Sequence, residues 1–139
     1  MSSWGQIVSQ VEARAALRCE YCRMHQALQG GTFHVEHITP SAHGGPSTLD
    51  NLAWSCPGCN LHKSDRIAAL DPQTGAMIPL FHPRRDRGSE HFRWEKYYLT
   101  GKTPTGRATV SLLDLNHPRR LLIRQAEEVF GLFPPQDNL

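Results

Sequence analysis

The apolar positions of this chain change period several times, and each change marks an element. Trp4, Ile7, Val8, Val11 and Ala15 recur at helical spacing, so residues 4–17 read as an amphipathic helix with Trp4 in its buried stripe. Ser3 and Gln6 have the spacing of a capping box at its start. After Gly30-Gly31 the pattern alternates over 32–36, placing Phe33 and Val35 on one strand face and His34 and Glu36 on the other. His37-Ile38-Thr39-Pro40 leaves that strand, and Gly44-Gly45-Pro46 marks a flexible loop. Residues 52–55 predict a second short strand. A helix follows from Pro57 or Asn60 to about Leu70, where Asp71-Pro72 stops it. A turn leads into a strand over 76–81, and 91–94 with 96–99 predict further strand. Two helices, 106–115 and 118–130, close the chain, with Pro118 suited to a first helical position and Gly131 to a stop. Leu121, Leu122, Ala126, Val129 and Phe130 are the expected buried stripe of the last helix. The order of elements predicts an α+β fold.

Length and composition narrow the setting. The 139 residues are read as a single domain, 1–139, with 39% hydrophobic content and hence a small core that benefits from a staple. No apolar run approaches a membrane span, and the first residues lack the basic tip and apolar block of a secretory leader, so a cytoplasmic location and no membrane partner are expected. The net charge of +2 hides an uneven distribution. Residues 82–124 carry ten Lys and Arg against four Asp and Glu, while the last fifteen residues carry only acids. Such a basic segment suggests a polyanionic partner, with a solvated surface as the plain alternative. Arg84, Arg85 and Arg87 are the candidate phosphate contacts.

The four cysteines form two C-x-x-C pairs, Cys19 with Cys22 and Cys56 with Cys59. Two residues between cysteines let a tight turn aim both sulfurs at one ion, and Gly58 suits such a turn, so tetrahedral thiolate zinc is expected. Two disulfides are the alternative, which a reducing cytosol disfavours. Between the pairs, Glu36 and His37 sit at a strand end, Asn51 precedes the second strand, and Asn60 and His62 fall in the first turn of a helix.

This arrangement resembles the HNH endonuclease family and its ββα-metal unit. The matching residues are Glu36-His37-Ile38-x-Pro40, Gly44-Gly45, Leu49-x-Asn51-Leu52 and Cys56-x-x-Cys59-Asn60-x-x-Lys63, with Cys19 and Cys22 as the upstream pair of the zinc-bearing branch. The tail, with LFHPRRDRGSEHFRW and TPTGRATVSLLDLN, looks like that of a bacterial subgroup of small HNH proteins. The HNH core is placed at about 15–70, and a basic extension of about 71–139 is read from the pattern as a strand and two helices. The resemblance implies Glu36 as acidic metal ligand, His37 as general base, Asn51 as the residue that shapes the loop and orients the base, and Asn60 as the second metal ligand. Glu36 stands where Asp is commoner, and Asn60 where many members carry His. An amide oxygen is a harder ligand than imidazole, so Mg²⁺ or Mn²⁺ is expected there and zinc only on the cysteines.

The chemistry is coherent on its own terms. A neutral imidazole near its ordinary pKa of about 6.5 can take a proton from water. A divalent cation on one carboxylate and one amide leaves positions open for a phosphate oxygen. The expected activity is hydrolysis of DNA phosphodiester bonds leaving, by the resemblance, 5′-phosphate and 3′-hydroxyl ends. His62 and Lys63 are candidates for phosphate contact or metal support, and His34 and His43 for neighbours of the site. The rival readings are a zinc-containing nucleic-acid-binding module without catalysis, and a nuclease acting on RNA.

Overall fold

A computed structural model describes residues 3–135. Asp137, part of the acidic end, lies outside them. The first helix, α1 (Trp4–Arg14), begins at the expected capping box: Ser3 Oγ accepts the Gln6 N–H at 3.2 Å and Gln6 Oε1 accepts the Ser3 N–H at 2.8 Å. It ends three residues before the pattern predicts. Ala16 and Leu17 adopt left-handed φ of 55° and 63°, which turns the chain into the first cysteine pair. Val11 and Ala15 are buried, with Ile7 and Val8 against them, while Trp4 is 51% exposed because the first turn overhangs the core. The Arg14 guanidinium donates to Leu49 O and Leu52 O, fixing α1 to the start of the second strand.

The centre of the molecule is a hairpin followed by a helix. Strand β1 (His34–His37) pairs antiparallel with β2 (Leu52–Ser55), with Glu36 opposite Ala53 and His37 opposite Leu52. Helix α2 (Pro57–Lys63) follows, with Cys56 as its N-cap: Cys56 Sγ accepts the Cys59 N–H at 3.3 Å, and Pro57 opens the helix. The predicted continuation to about Leu70 is not helical. Ser64 has a positive φ of 50°, and Ala68–Leu70 form strand β3, paired with β4 (Met77–Pro79). Helical spacing alone cannot separate a long helix from a short one followed by a short strand.

The strands expected over 91–94 and 96–99 are present and form a hairpin. A four-residue helix α3 (Gly88–His91) leads into β5 (Phe92–Glu95), which pairs with β6 (Tyr98–Gly101) across a tight turn. Helices α4 (Pro104–Leu112) and α5 (Pro118–Val129) follow, capped by Thr103 Oγ1 and His117 Nδ1. Phe81, Phe92, Leu99, Leu113 and Leu115 pack in one buried cluster with Val11, Leu52, Trp54 and the four cysteines. The extension therefore shares its core with the hairpin and helix.

Helix α5 reverses the burial expected of it. Leu122, Val129 and Phe130 are 64%, 82% and 69% exposed, Ala126 is exposed, and Leu121 is half-buried. Arg120, Arg124 and Glu127 are buried instead. These groups are matched in the interior. Arg124 donates to Leu115 O at 2.7 Å and Tyr97 O at 2.9 Å and lies 5.1 Å from the Trp94 ring centroid, and Glu127 Oε2 accepts the His25 N–H at 2.6 Å. A buried ion with partners displaces the apolar stripe from the inner face. No helix among the described residues is long and apolar enough to cross a membrane.

Candidate nuclease site and metal centre

The end of β1 carries the first two candidate residues in different surroundings. Glu36 is 6% exposed and His37 is half-buried. Tyr21, which lies between Cys19 and Cys22, donates its hydroxyl to Glu36 Oε1 at 2.6 Å. Burial, reinforced by the Glu36 charge, pushes the Tyr21 pKa well above 10, so this hydroxyl stays protonated and keeps donating. Lys63, 2% exposed at the end of α2, places its ammonium 2.7 Å from Glu36 Oε2 and donates to Ile38 O at 2.8 Å. Tyr21 and Lys63 thus take one acceptor position on each carboxylate oxygen of Glu36.

The imidazole of His37 shares a hydrogen bond between Nε2 and Ser47 Oγ at 2.8 Å. Asn51 holds the loop between them. Its Oδ1 accepts the Thr39 N–H at 2.8 Å, and its Nδ2 donates to Thr39 O at 3.0 Å and Pro46 O at 2.8 Å. Gly45 completes this clamp, because a Cβ there would fall 1.7 Å from Thr39 O and 2.8 Å from Asn51 Nδ2. Asn60 and Lys63 are three apart on α2 and so share the helix face turned to β1. No hydrogen bond of the half-buried Asn60 amide is seen among the described residues, which suits a group that receives a ligand.

The other candidates are scattered. His62 is exposed and lines a cavity of about 280 Å³ with Cys56, Arg119 and Arg120, away from the face of Lys63. His34 is exposed at the outer end of β1, and His43 Nε2 meets Asp65 O at 3.1 Å. Arg84 turns inward to pair with Glu20 of the first cysteine turn. Arg85 and Arg87 are exposed and border two grooves of about 330 and 470 Å³, one beside Lys63 and the other beside Tyr21.

All four cysteines are free and buried, and their Sγ atoms lie within 4.8 Å of one another. The Cys22 and Cys56 sulfurs are 3.7 Å apart, far longer than a disulfide at about 2.05 Å. A tetrahedral zinc with Zn–S of about 2.3 Å requires sulfurs about 3.8 Å apart, so the donor set fits that ion. Backbone N–H groups of Tyr21 and Cys59 point at Cys19 Sγ and Cys56 Sγ, as suits sulfur that carries charge. Hydrogen bonds from Cys19, Cys22 and Cys59 pull the Cys56 thiol below its ordinary range, while burial pushes Cys19 and Cys59 up. Four cysteine sulfurs this close together could hold a zinc ion.

Residues 19–66 match the model of the HNH endonuclease family. They form an HNH endonuclease domain. The match begins at the first cysteine of the cluster and ends just beyond α2, so it contains both the strand end at Glu36 and His37 and the four sulfurs. The chain is also similar to the Septu protein PtuB of Bacillus thuringiensis, with 29% identity over 107 residues that cover 76% of this chain. It spans 39% of that relative's length. No solved structure gives a significant match.

Two residues around the HNH domain's site escape the sequence patterns. Tyr21 supports Glu36. Glu20 accepts the Trp54 N–H at 2.8 Å as well as pairing with Arg84, so the first cysteine turn holds β2 and the extension together. Their only sequence signal is their position inside a C-x-x-C turn, where side chains radiate from a tight bend.

Proposed function

We propose that this chain is a metal-dependent endonuclease that hydrolyses phosphodiester bonds of DNA, with zinc on Cys19, Cys22, Cys56 and Cys59 as a structural staple. The observation that carries the reading is the juxtaposition at the end of β1. Half-buried His37 and buried Glu36 are consecutive at the end of β1, the loop beside His37 is clamped by Asn51, and Asn60, whose amide shows no hydrogen bond among the described residues, stands three residues before the Lys63 that pairs with Glu36.

In this reading His37 accepts the proton of the attacking water. Ser47 and the Asn51 clamp hold the imidazole and its loop in one orientation. Glu36 and Asn60 hold one Mg²⁺ or Mn²⁺, which when bound stabilises charge on the phosphate and the departing oxygen. Tyr21 fixes the rotamer of Glu36, and Lys63 balances its charge before the cation binds. Arg85 and Arg87, on either side of the groove-lined loop, take the flanking phosphates.

The buried pairing of Glu36 with Lys63 favours a second reading, in which the carboxylate only braces α2 against β1 and the domain binds nucleic acid without cutting it. Incubation of the purified protein with plasmid DNA and with RNA, with and without Mg²⁺ or Mn²⁺, separates them. Metal-dependent cleavage of DNA is expected. Cleavage of RNA alone moves the substrate to RNA, and binding without cleavage of either selects the second reading.

A further inference from the structure

Arg120 lies in the first turn of α5, well beyond the 19–66 match, yet its guanidinium reaches the cysteine cluster. It is 8% exposed. Its Nη1 is 3.5 Å from Cys59 Sγ and 3.8 Å from Cys56 Sγ, within hydrogen-bond reach of both, and its Nη2 donates to Leu113 O at 3.2 Å. Gly58 forms the opposite wall. A Cβ on Gly58 would stand 3.0 Å from Arg120 Nη2. Gly58 is helical, without the positive φ that would demand glycine, so the turn itself accepts other residues. What the missing side chain leaves is the gap for the guanidinium.

The charge argues the same way. Four thiolates around one Zn²⁺ leave a net charge of about −2, and a buried charge needs a paired, hydrogen-bonded cation. Arg18, Arg23 and Arg124 also lie near Cys22, and Arg120 directs its donors at two of the sulfurs.

We infer that Arg120 is a positioning residue of the zinc centre: it donates hydrogen bonds to the Cys56 and Cys59 thiolates, withdraws electron density from them, and makes metal retention depend on the C-terminal helix. This rests on the zinc reading above. The metal centre of the HNH domain then extends into α5, which accounts for the burial of Arg120 on that helix. Outer-shell partners of metal ligands typically account for about 10–100-fold in metal affinity.

The test uses the full chain purified with its metal. Elemental analysis of the unmodified protein comes first: no zinc there overturns the zinc reading and this inference together. With zinc present, competition against a chromophoric chelator should show Arg120→Met holding zinc about 10–100-fold more weakly, with Arg120→Lys in between. In the Co²⁺-substituted protein, the thiolate-to-metal band should move to lower energy in Arg120→Met, because the sulfur lone pairs lose their hydrogen bonds. A folded Arg120→Met with unchanged affinity and an unmoved band makes Arg120 a packing residue and overturns the inference while leaving the zinc reading intact. If Arg120→Met does not fold, Arg120→Lys decides, since it keeps a cation at this position but lacks the planar fork that reaches both sulfurs and Leu113 O. A lower-energy band in that variant supports the inference, and an unmoved one overturns it.

Discussion

His37 stands two residues before Thr39, whose N–H and C=O are both held by Asn51. The imidazole can therefore be removed without disturbing the clamp. His37→Ala is expected to keep its fold and bound zinc, yet lose about 10²–10⁴-fold in cleavage rate, measured in single-turnover assays on DNA. Excess Mg²⁺ should not restore it, since an ion does not replace the proton acceptor; cleavage at the unmodified rate would remove His37 from the mechanism. Tyr21→Phe tests the support beneath Glu36. It leaves a buried carboxylate oxygen without its donor, which costs on the order of 1–3 kcal/mol, read as a lower urea midpoint. It should also raise the Mg²⁺ concentration needed for half-maximal cleavage, a shift that loss of stability alone does not produce. The match to the family was legible in the sequence because its motif is marked by residue type and short spacing. Tyr21 was not, because its partner lies fifteen positions away and no short pattern records the contact.

Elements were legible where local rules govern them. The cap of α1, the pairing of β1 with β2 and the proline start of α5 all follow from residues within a few positions. Strand β3 falls where the spacing predicts the end of a helix, β4 falls within the strand expected over 76–81, and the hairpin they form is held by a distant clasp. Asp71 at its turn receives two hydrogen bonds from Arg107 of α4, both at 2.9 Å. Those bonds, against the opposing effect of burial, hold the Asp71 carboxyl well below the usual carboxylate range. A depressed folded pKa stabilises the protein above the unfolded value of about 3.9 and loses that contribution as pH falls through the lower folded value. Arg107→Ala should therefore lower the Tm at pH 7, and the gap to the unmodified protein should close as the pH falls below about 4. A gap that stays constant to low pH would show that the arginine acts through packing alone.

On the scale of the whole molecule, the basic segment is divided. Arg84 pairs with Glu20, Arg107 with Asp71, Arg120 with the thiols and Arg124 with backbone carbonyls, so much of the positive charge faces inward. Arg85 and Arg87 remain on the surface beside the two grooves. The double variant Arg85→Ala/Arg87→Ala should bind duplex DNA more weakly, with a log–log salt slope shallower by about 1.8, or roughly 0.9 per lost phosphate contact. Arg84→Ala should leave the slope unchanged and destabilise the fold. An unaltered slope in the double variant would make these arginines a solvated surface.

The sequence by itself determined the part of this protein whose meaning lies in residue type and short spacing. That part comprises the two cysteine pairs, the Glu36-His37 strand end, the Asn51 loop and the helix that follows Cys56. Turns, ladders and caps act over a few residues, and a metal site needs only its donors at workable intervals. The tertiary structure decided which charges are interior. Hydrophobic periodicity assigned the inner face of α5 to Leu122 and Val129, because a lone arginine is costly to bury. Arg120 and Arg124 are inside because sulfurs some sixty positions back and carbonyls nine or more positions back supply their partners, and those meet only when the chain is folded.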